Sequence, residues 1–330
     1  MKETLKTLSD RLGLSPSTVS RVLSGKAGQY RISGKTEALI QEEARKSGFI
    51  PNKLAQGLRT KVTSTIGLVV PDLNNAFFAS LTHTIISMLK SSGYHTIIVE
   101  SRDVVEEEMS LVNTFVARNI DGIIIVPVGD DPRYLERIDE EIPVVLADRY
   151  YEKSSLSFVS TDNRMGGEMA ARYLMDAGYT RILSIQGSPL SMPNRMRLQG
   201  FSEALATRPG IVHTVVGDSF SVENGYQCVM DMLGGGKKTD AVFAYSVTIL
   251  QGAFRALREL GYRIPEDIGI ISYDDNNFYD YLNPPITRIG QPLMTVGRMV
   301  VETLLLKIAD NATAPVRLLA DPVLIRGRSC

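Results

Sequence analysis

Apolar residues in the first fifty positions recur at helical spacing. Leu5, Leu8 and Leu12 fall at i, i+3 and i+7, which makes one face of a helix. Gly13 follows, a residue that tolerates the positive φ at which helices stop. Ser15 is placed to cap the next helix and Pro16 to open it, where a missing N–H costs nothing. Val19, Val22 and Leu23 give that second helix its inner side. Ser33 through Ala44 predicts a third helix, with Ile40 and Ala44 facing inward, Leu39 beside them and Gly48 as the stop. Two short helices about a glycine turn are the helix-turn-helix plan. The outward positions of the second helix are Ser17, Thr18, Ser20 and Arg21, whose hydroxyls and guanidinium suit base edges and phosphates. The same spacing also fits an ordinary αα-hairpin with a solvated outer face.

Between helices two and three lies a glycine-rich, basic loop, residues 24–32, from which Lys26 and Arg31 can reach phosphates. After Gly48 comes Pro51-Asn-Lys-Leu-Ala-Gln-Gly-Leu-Arg59, a helix too short to stand alone. Its Leu58 is an apolar residue in a polar, basic stretch. It fits either a packing contact or a wedge between base steps in a minor groove.

From Thr65 the texture changes. Thr65–Val70 is a short apolar run ending at Pro71, as in a buried parallel strand. Helical periods (77–92, 104–118, a short one at 134–138) then alternate with strand-like runs (94–99, 122–126, 143–147). A second set follows: helices at 165–177, 197–206, 222–233 and 249–260, strands at 181–185, 212–216, 241–244 and 267–271. Two successive sets predict two similar α/β lobes, each with a parallel sheet and helices on both faces. The Gly234-Gly-Gly236 triplet follows a helix, so it is expected to be a turn and not a phosphate loop.

Charge sharpens this division. Residues 1–61 hold 12 Lys/Arg against 5 Asp/Glu, a net +7, and the remainder carries −8 of the overall −1. A basic head on an acidic body suggests a polyanion partner for the head alone. Cys228 and Cys330 form no framework, and His83, His95 and His213 are scattered, so neither metal nor cofactor is expected. No apolar run is long enough to span a membrane. The first residues lack an apolar signal core, which makes the cytoplasm the expected compartment.

Eight stretches, in this order and spacing, resemble the lactose-repressor/galactose-repressor (LacI/GalR) family of bacterial transcription regulators. They are Leu14-Ser-Pro-Ser-Thr-Val-Ser-Arg-Val-Leu23, Phe49-Ile-Pro-Asn-Lys-Leu-Ala-Gln-Gly-Leu58, Ile66-Gly-Leu-Val-Val-Pro-Asp72 and Asp121-Gly-Ile-Ile124. The later four are Arg197-Leu-Gln-Gly-Phe201, Ile264-Pro-Glu-Asp-Ile268, Ser272-Tyr-Asp-Asp275 and Pro284-Pro-Ile-Thr287. The resemblance implies an all-α helix-turn-helix head (1–50), a hinge helix or linker (51–63) and a bilobed core (64–330). That core would be similar to periplasmic sugar-binding proteins, with two doubly wound parallel sheets. Lobe one would take about 64–161 and 291–320, lobe two about 162–290 and 321–330. A homodimer on a near-palindromic operator is implied too, and a sugar or sugar-phosphate effector between the lobes.

Carried over position by position, the family pattern implies that Pro16, Ser17 and Arg21 read bases, with Arg21 on a guanine. Ser15, Thr18 and Ser20 would touch phosphates, and Asn52, Ala55 and Leu58 would serve the hinge, Leu58 as its wedge. The 28–31 segment, with Arg31, is longer than in the lactose repressor, and looks like the insertion of fructose- and sucrose-type members. In the cleft, Asp72, Asn74, Phe77 and Phe78 match one wall, Arg149, Arg197 and Asp274 a polar clamp, and Gln291 a lobe crossing. Ser246 stands where many members have Asn or Asp. The grouping of Arg149, Arg195 and Arg197 leaves a phosphorylated effector open. The short tail 327–330, with no leucine heptad, favours a dimer over a tetramer. The competing expectations are a sugar-binding protein and a sugar-modifying α/β enzyme, neither with a DNA role. The basic head argues against both, and no nucleophile–base pair supports an enzyme.

Overall fold

A computed structural model describes residues 4–49, 62–310 and 314–330. It divides into a head, up to Thr63, and a body from Ser64 onward.

In the head, the apolar spacing becomes three helices, α1 (Leu5–Leu12), α2 (Pro16–Leu23) and α3 (Gly34–Lys46). Thr4 caps α1, and Gly13 ends it in the left-handed region at φ 65°. Leu8, Val19, Val22, Ile40 and Ala44 form the core, joined by Ala27 from the loop after α2. Leu39 corrects the expectation: it is 51% exposed, because one residue is a turn of about 100° and carries its side chain off the face that Ile40 occupies. An Arg11–Glu43 ion pair of 2.9 Å ties α1 to α3.

The body is built as two sheets of six strands. The first takes β1 (Thr65–Val70), β2 (His95–Glu100), β3 (Gly122–Ile125), β4 (Val144–Ala147) and β5 (Ser157–Thr161), all parallel. The second takes β6 (Arg181–Ile185), β7 (Val212–Val216), β8 (Ala241–Ala244), β9 (Gly269–Tyr273) and β10 (Thr287–Gly290), also parallel. The chain then returns: β11 (Arg317–Ala320) pairs parallel with β5, and β12 (Val323–Ile325) antiparallel with β10. The orders β11-β5-β4-β3-β1-β2 and β12-β10-β9-β8-β6-β7 are one plan used twice. The chain passes between the sheets after β5, β10 and β11.

Helices α4 (Ala76–Ser91), α5 (Val105–Ala117), α6 (Arg133–Asp139) and α11 (Leu293–Ala309) flank the first sheet. Helices α7 (Asn163–Asp176), α8 (Met192–Leu205), α9 (Val222–Leu233) and α10 (Val247–Glu259) flank the second. Alternate residues of β1 feed two cores: Ile66, Leu68 and Val70 on one face, Val69 on the other. Covered on both faces, the central strands are mostly apolar, with buried serines such as Ser184 and Ser272 among them, whereas edge strands β2 and β7 are partly exposed.

The apolar pattern did not predict β5, β10, β11 or α11. In β5, Ser157, Ser160 and Thr161 are buried polar residues, so the run looks unlike a core strand. Their burial is compatible with the strand because they find partners, as where Ser157 Oγ accepts from the Val316 amide at 3.1 Å. Helix α8 begins five residues ahead of the expected Arg197, since Pro193 sits in its first turn, where proline is tolerated. The Gly234-Gly-Gly236 segment is a turn.

Candidate nucleic-acid interface and interlobe cleft

In the head, α2 presents its outer face through a capped first turn. Ser15 Oγ accepts from the Thr18 amide at 3.1 Å and lies 2.8 Å from the hydroxyls of both Ser17 and Thr18. Val19 and Val22 are buried beneath, while Pro16, Ser17 and Arg21 are exposed. Ser20 and Thr18 are half-buried, and Thr18 doubles as the partner of the cap. Arg31 is exposed, at φ 53° directly after a 3-10 turn, Gly28–Tyr30. The guanidinium of Arg21 lies over the Tyr30 ring, 3.9 Å from its centroid. The hinge expectations Asn52, Ala55 and Leu58 fall outside the described residues.

In the body, the chemistry collects at the carboxyl ends of the strands, where open α/β sheets bind ligands. Asp148 directly follows β4 and Asp274 directly follows β9, each in the left-handed region, at φ 63° and 73°. Arg197 projects from α8 and is held on three sides. Its Nε donates to Asn163 Oδ1 at 2.8 Å and its Nη1 to the Tyr245 carbonyl at 2.6 Å. Its face lies 3.7 Å from the centroid of the Tyr273 ring. The helices that set this position touch almost backbone to backbone. A Cβ on Gly167 of α7 would run into the Arg197 carbonyl oxygen, and one on Gly200 of α8 into that of Arg164.

The two carboxylates differ in how they are satisfied. Asp274 accepts from Gln291 Nε2 at 2.7 Å and lies 3.4 Å from the Val247 amide at the start of α10. Asp148 is 5% exposed, and its Oδ1 finds no hydrogen-bond donor among the described residues. Burial pushes its carboxyl up to about 6; Arg197 and Arg149 pull it down, and Asp274 pushes it further up. Those influences bring Asp148 of one lobe together with Arg197 and Asp274 of the other.

The remaining sequence-predicted cleft residues take supporting places. Asp72 follows β1 and accepts from the Asn74 amide at 2.8 Å; Asn74 is exposed. Phe78 is buried and Phe77 half-buried, edge to face at 5.2 Å. Arg149 pairs with Asp103 at 2.6 Å and lies 5.7 Å from the Phe78 centroid. Ser246 is buried as the cap of α10, accepting from the Ile249 amide at 3.3 Å. Arg195 does not join the cluster: it is exposed and donates to the Leu190 carbonyl. Asp148, Asn163 and Tyr273 were missed. For Asp148 the sequence does carry a signal, since it is the charged residue directly after the strand-like run 143–147 and stands beside Arg149.

A basic helical head and a two-lobed body whose polar cluster spans both sheets define a DNA-binding regulator with a ligand-sensing core. Comparison with known proteins agrees. Residues 66–282 match the family model of the periplasmic binding protein domain. The chain is 30% identical to the HTH-type transcriptional regulator CelR of Thermobifida fusca, over 97% of this chain and 96% of that one. It is 29% identical to the ribose operon repressor of Haemophilus influenzae, over 93% and 92%. The lac repressor dimer bound to operator and the anti-inducer ONPF superposes with a TM-score of 0.90 at 25% identity, covering 100% of this chain and 99% of that one. The chain belongs to the lactose-repressor/galactose-repressor (LacI) family of transcription regulators. It is a regulator of transcription and not an enzyme. No described helix is long and apolar enough to cross a membrane.

Proposed function

We propose that the chain is a cytoplasmic, homodimeric repressor that grips a near-palindromic operator with two heads and releases or tightens that grip when a sugar binds between its lobes. Paired recognition helices suit half-sites one DNA turn apart, about 34–36 Å. Two relatives carry this chemistry in their names: the lac repressor is a dimer on its operator, and a CelR structure, similar at a TM-score of 0.73, holds cellobiose. A second copy also suits Met294 and Tyr281, large apolar side chains left 66% and 86% exposed.

The observation that carries the sensing half is the buried Asp148 carboxylate with an unused oxygen, facing Arg197 and Asp274. Such a cluster matches a ligand that donates hydroxyls. With Arg195 turned away and Arg149 paired to Asp103, two carboxylates face the cleft. That balance favours a neutral sugar over a sugar phosphate. Effector and operator then share a coupling free energy, typically ~1–3 kcal/mol. The test is a thermal-shift screen of neutral sugars, sugar acids and sugar phosphates, followed by anisotropy titration of a promoter duplex with and without the hit. A neutral sugar that raises the melting temperature and changes duplex affinity is the expected result. Stabilisation by phosphates alone overturns the neutral-sugar reading, and absence of salt-sensitive duplex binding overturns the whole.

A further inference from the structure

The basic loop between α2 and α3 is a folded piece with a task. Ala27 and Ile32 anchor it in the head core, and the Ile32 amide donates to the Ala27 carbonyl at 3.0 Å. At its other end, the Lys26 amide donates to the carbonyl of Arg21 itself, at 2.9 Å. Between these ties a 3-10 turn lifts Tyr30 to the surface, where its ring meets the guanidinium of Arg21. Arg21 forms no ion pair among the described residues, so the ring is its observed side-chain partner.

We propose that Tyr30 is a positioning residue for Arg21: the inserted loop gives the recognition helix an aromatic platform that aims its arginine. This rests on the reading that Arg21 contacts a guanine. An exposed arginine samples many rotamers, and binding a base edge means giving them up. Stacking on an aromatic face restricts that freedom while leaving the in-plane N–H donors free for a bidentate contact. The loop therefore contributes to base discrimination without itself touching a base.

The experiment uses the full chain and two duplexes of equal length, one selected in vitro by the unmodified protein and one random. The ratio of affinities at fixed salt measures discrimination. Tyr30→Ala is expected to lower that ratio about two- to fivefold, the worth of an exposed cation–π contact, with affinity for the random duplex unchanged. Tyr30→Phe, which keeps the ring face, restores the ratio. In an Arg21→Ala background, Tyr30→Ala has no further effect on it. If Tyr30→Ala leaves or raises the ratio in the unmodified background, or lowers it equally without Arg21, the inference is overturned, because the ring is then idle, obstructive or a DNA contact in its own right. An unchanged ratio in Arg21→Ala alone strikes instead at Arg21 as the reader. Should the alanine variant weaken folding of the head, Tyr30→Leu keeps the apolar bulk, removes the aromatic face and carries the same comparison.

Discussion

Asp148 and Asp274 occupy matching places in the two lobes. Each is the residue after the strand third from the same sheet edge, each is 5% exposed, and each has a positive φ. Their environments then diverge: Gln291 donates to Asp274, while one oxygen of Asp148 has no partner among the described residues. A repeated scaffold has thus placed two carboxylates at one cleft and completed only one of them within the chain. The incomplete one is the natural acceptor for a ligand hydroxyl, because an unpaired buried acceptor gains most from a new donor.

Asp148→Asn separates stability from sensing. Burial holds the Asp148 carboxyl at about 6, above its ordinary 3.8. The folded state therefore binds the proton more tightly than the unfolded chain does. The ionised form costs stability, fully above about pH 6 and vanishing as pH falls toward 4, on the order of 3 kcal/mol at most. The variant is expected to melt higher than the parent at pH 7.5, with the gain shrinking toward pH 4. Its affinity for the sugar found by screening is expected to fall about 10- to 100-fold. Scanning calorimetry across pH, paired with titration calorimetry, checks both halves; a destabilised variant at pH 7.5 contradicts the first.

Arg197→Lys tests whether the cleft needs a fork or only a charge. The guanidinium donates to Asn163 and to the Tyr245 carbonyl while lying on the Tyr273 ring. A lysine ammonium is a point charge that reproduces neither the planar stacking nor the two fixed donors together. The variant is expected to bind operator normally and to lose the sugar response, as Arg197→Ala is. A lysine variant that responds like the parent shows that charge alone suffices there.

What could be read from the sequence follows from where side chains face. Central strands such as β1, β6 and β8 are legible because both of their faces are covered, so their buried positions are mostly apolar, Ser184 of β6 being an exception. Strand β5 was illegible because Ser157 and Ser160 are buried by hydrogen bonding, which composition does not reveal. Of the cleft, Arg197, Asp274 and Gln291 were found through family resemblance. Asp148 stands out in the sequence only as a charged residue directly after a strand-like run; its significance lies in an oxygen that lacks a donor among the described residues, a fact of three-dimensional surroundings. In the loop at 28–31 the sequence shows the charge of Arg31, but the placing of Tyr30 against Arg21 is a contact that only the folded chain brings about.

Gly167→Ala probes the seat of Arg197 without touching the cleft surface. The methyl would collide with the Arg197 carbonyl oxygen, which is backbone and gives way only if α7 and α8 separate. Overpacking of this kind costs about 1–3 kcal/mol. The expected result is a lower melting temperature of the body together with weaker sugar binding, while the isolated transition of the head is unmoved. Unaltered sugar affinity in a destabilised protein means the helix contact supports the fold alone.

Glu108 offers a pH test away from the cleft. It is fully buried on α5, accepting from the Val128 amide at 2.8 Å and from the Tyr134 hydroxyl. Burial outweighs both hydrogen bonds and pushes its carboxyl up to about 7, from 4.5. Because the folded pKa is the higher one, the folded state takes up a proton between about pH 4.5 and 7. Stability contributed by this group is present at the acid end and lost as pH rises through 7. Glu108→Gln removes the ionisation. Its amide oxygen can still accept from Val128, and its NH₂ can donate to the Tyr134 oxygen once that hydroxyl turns. The variant is therefore expected to gain melting temperature relative to the parent at pH 8 and to show little gain at pH 5. Equal differences at both pH values mean that Glu108 is not the group that titrates. A gain larger at pH 5 reverses the sign and rules out burial as the dominant influence.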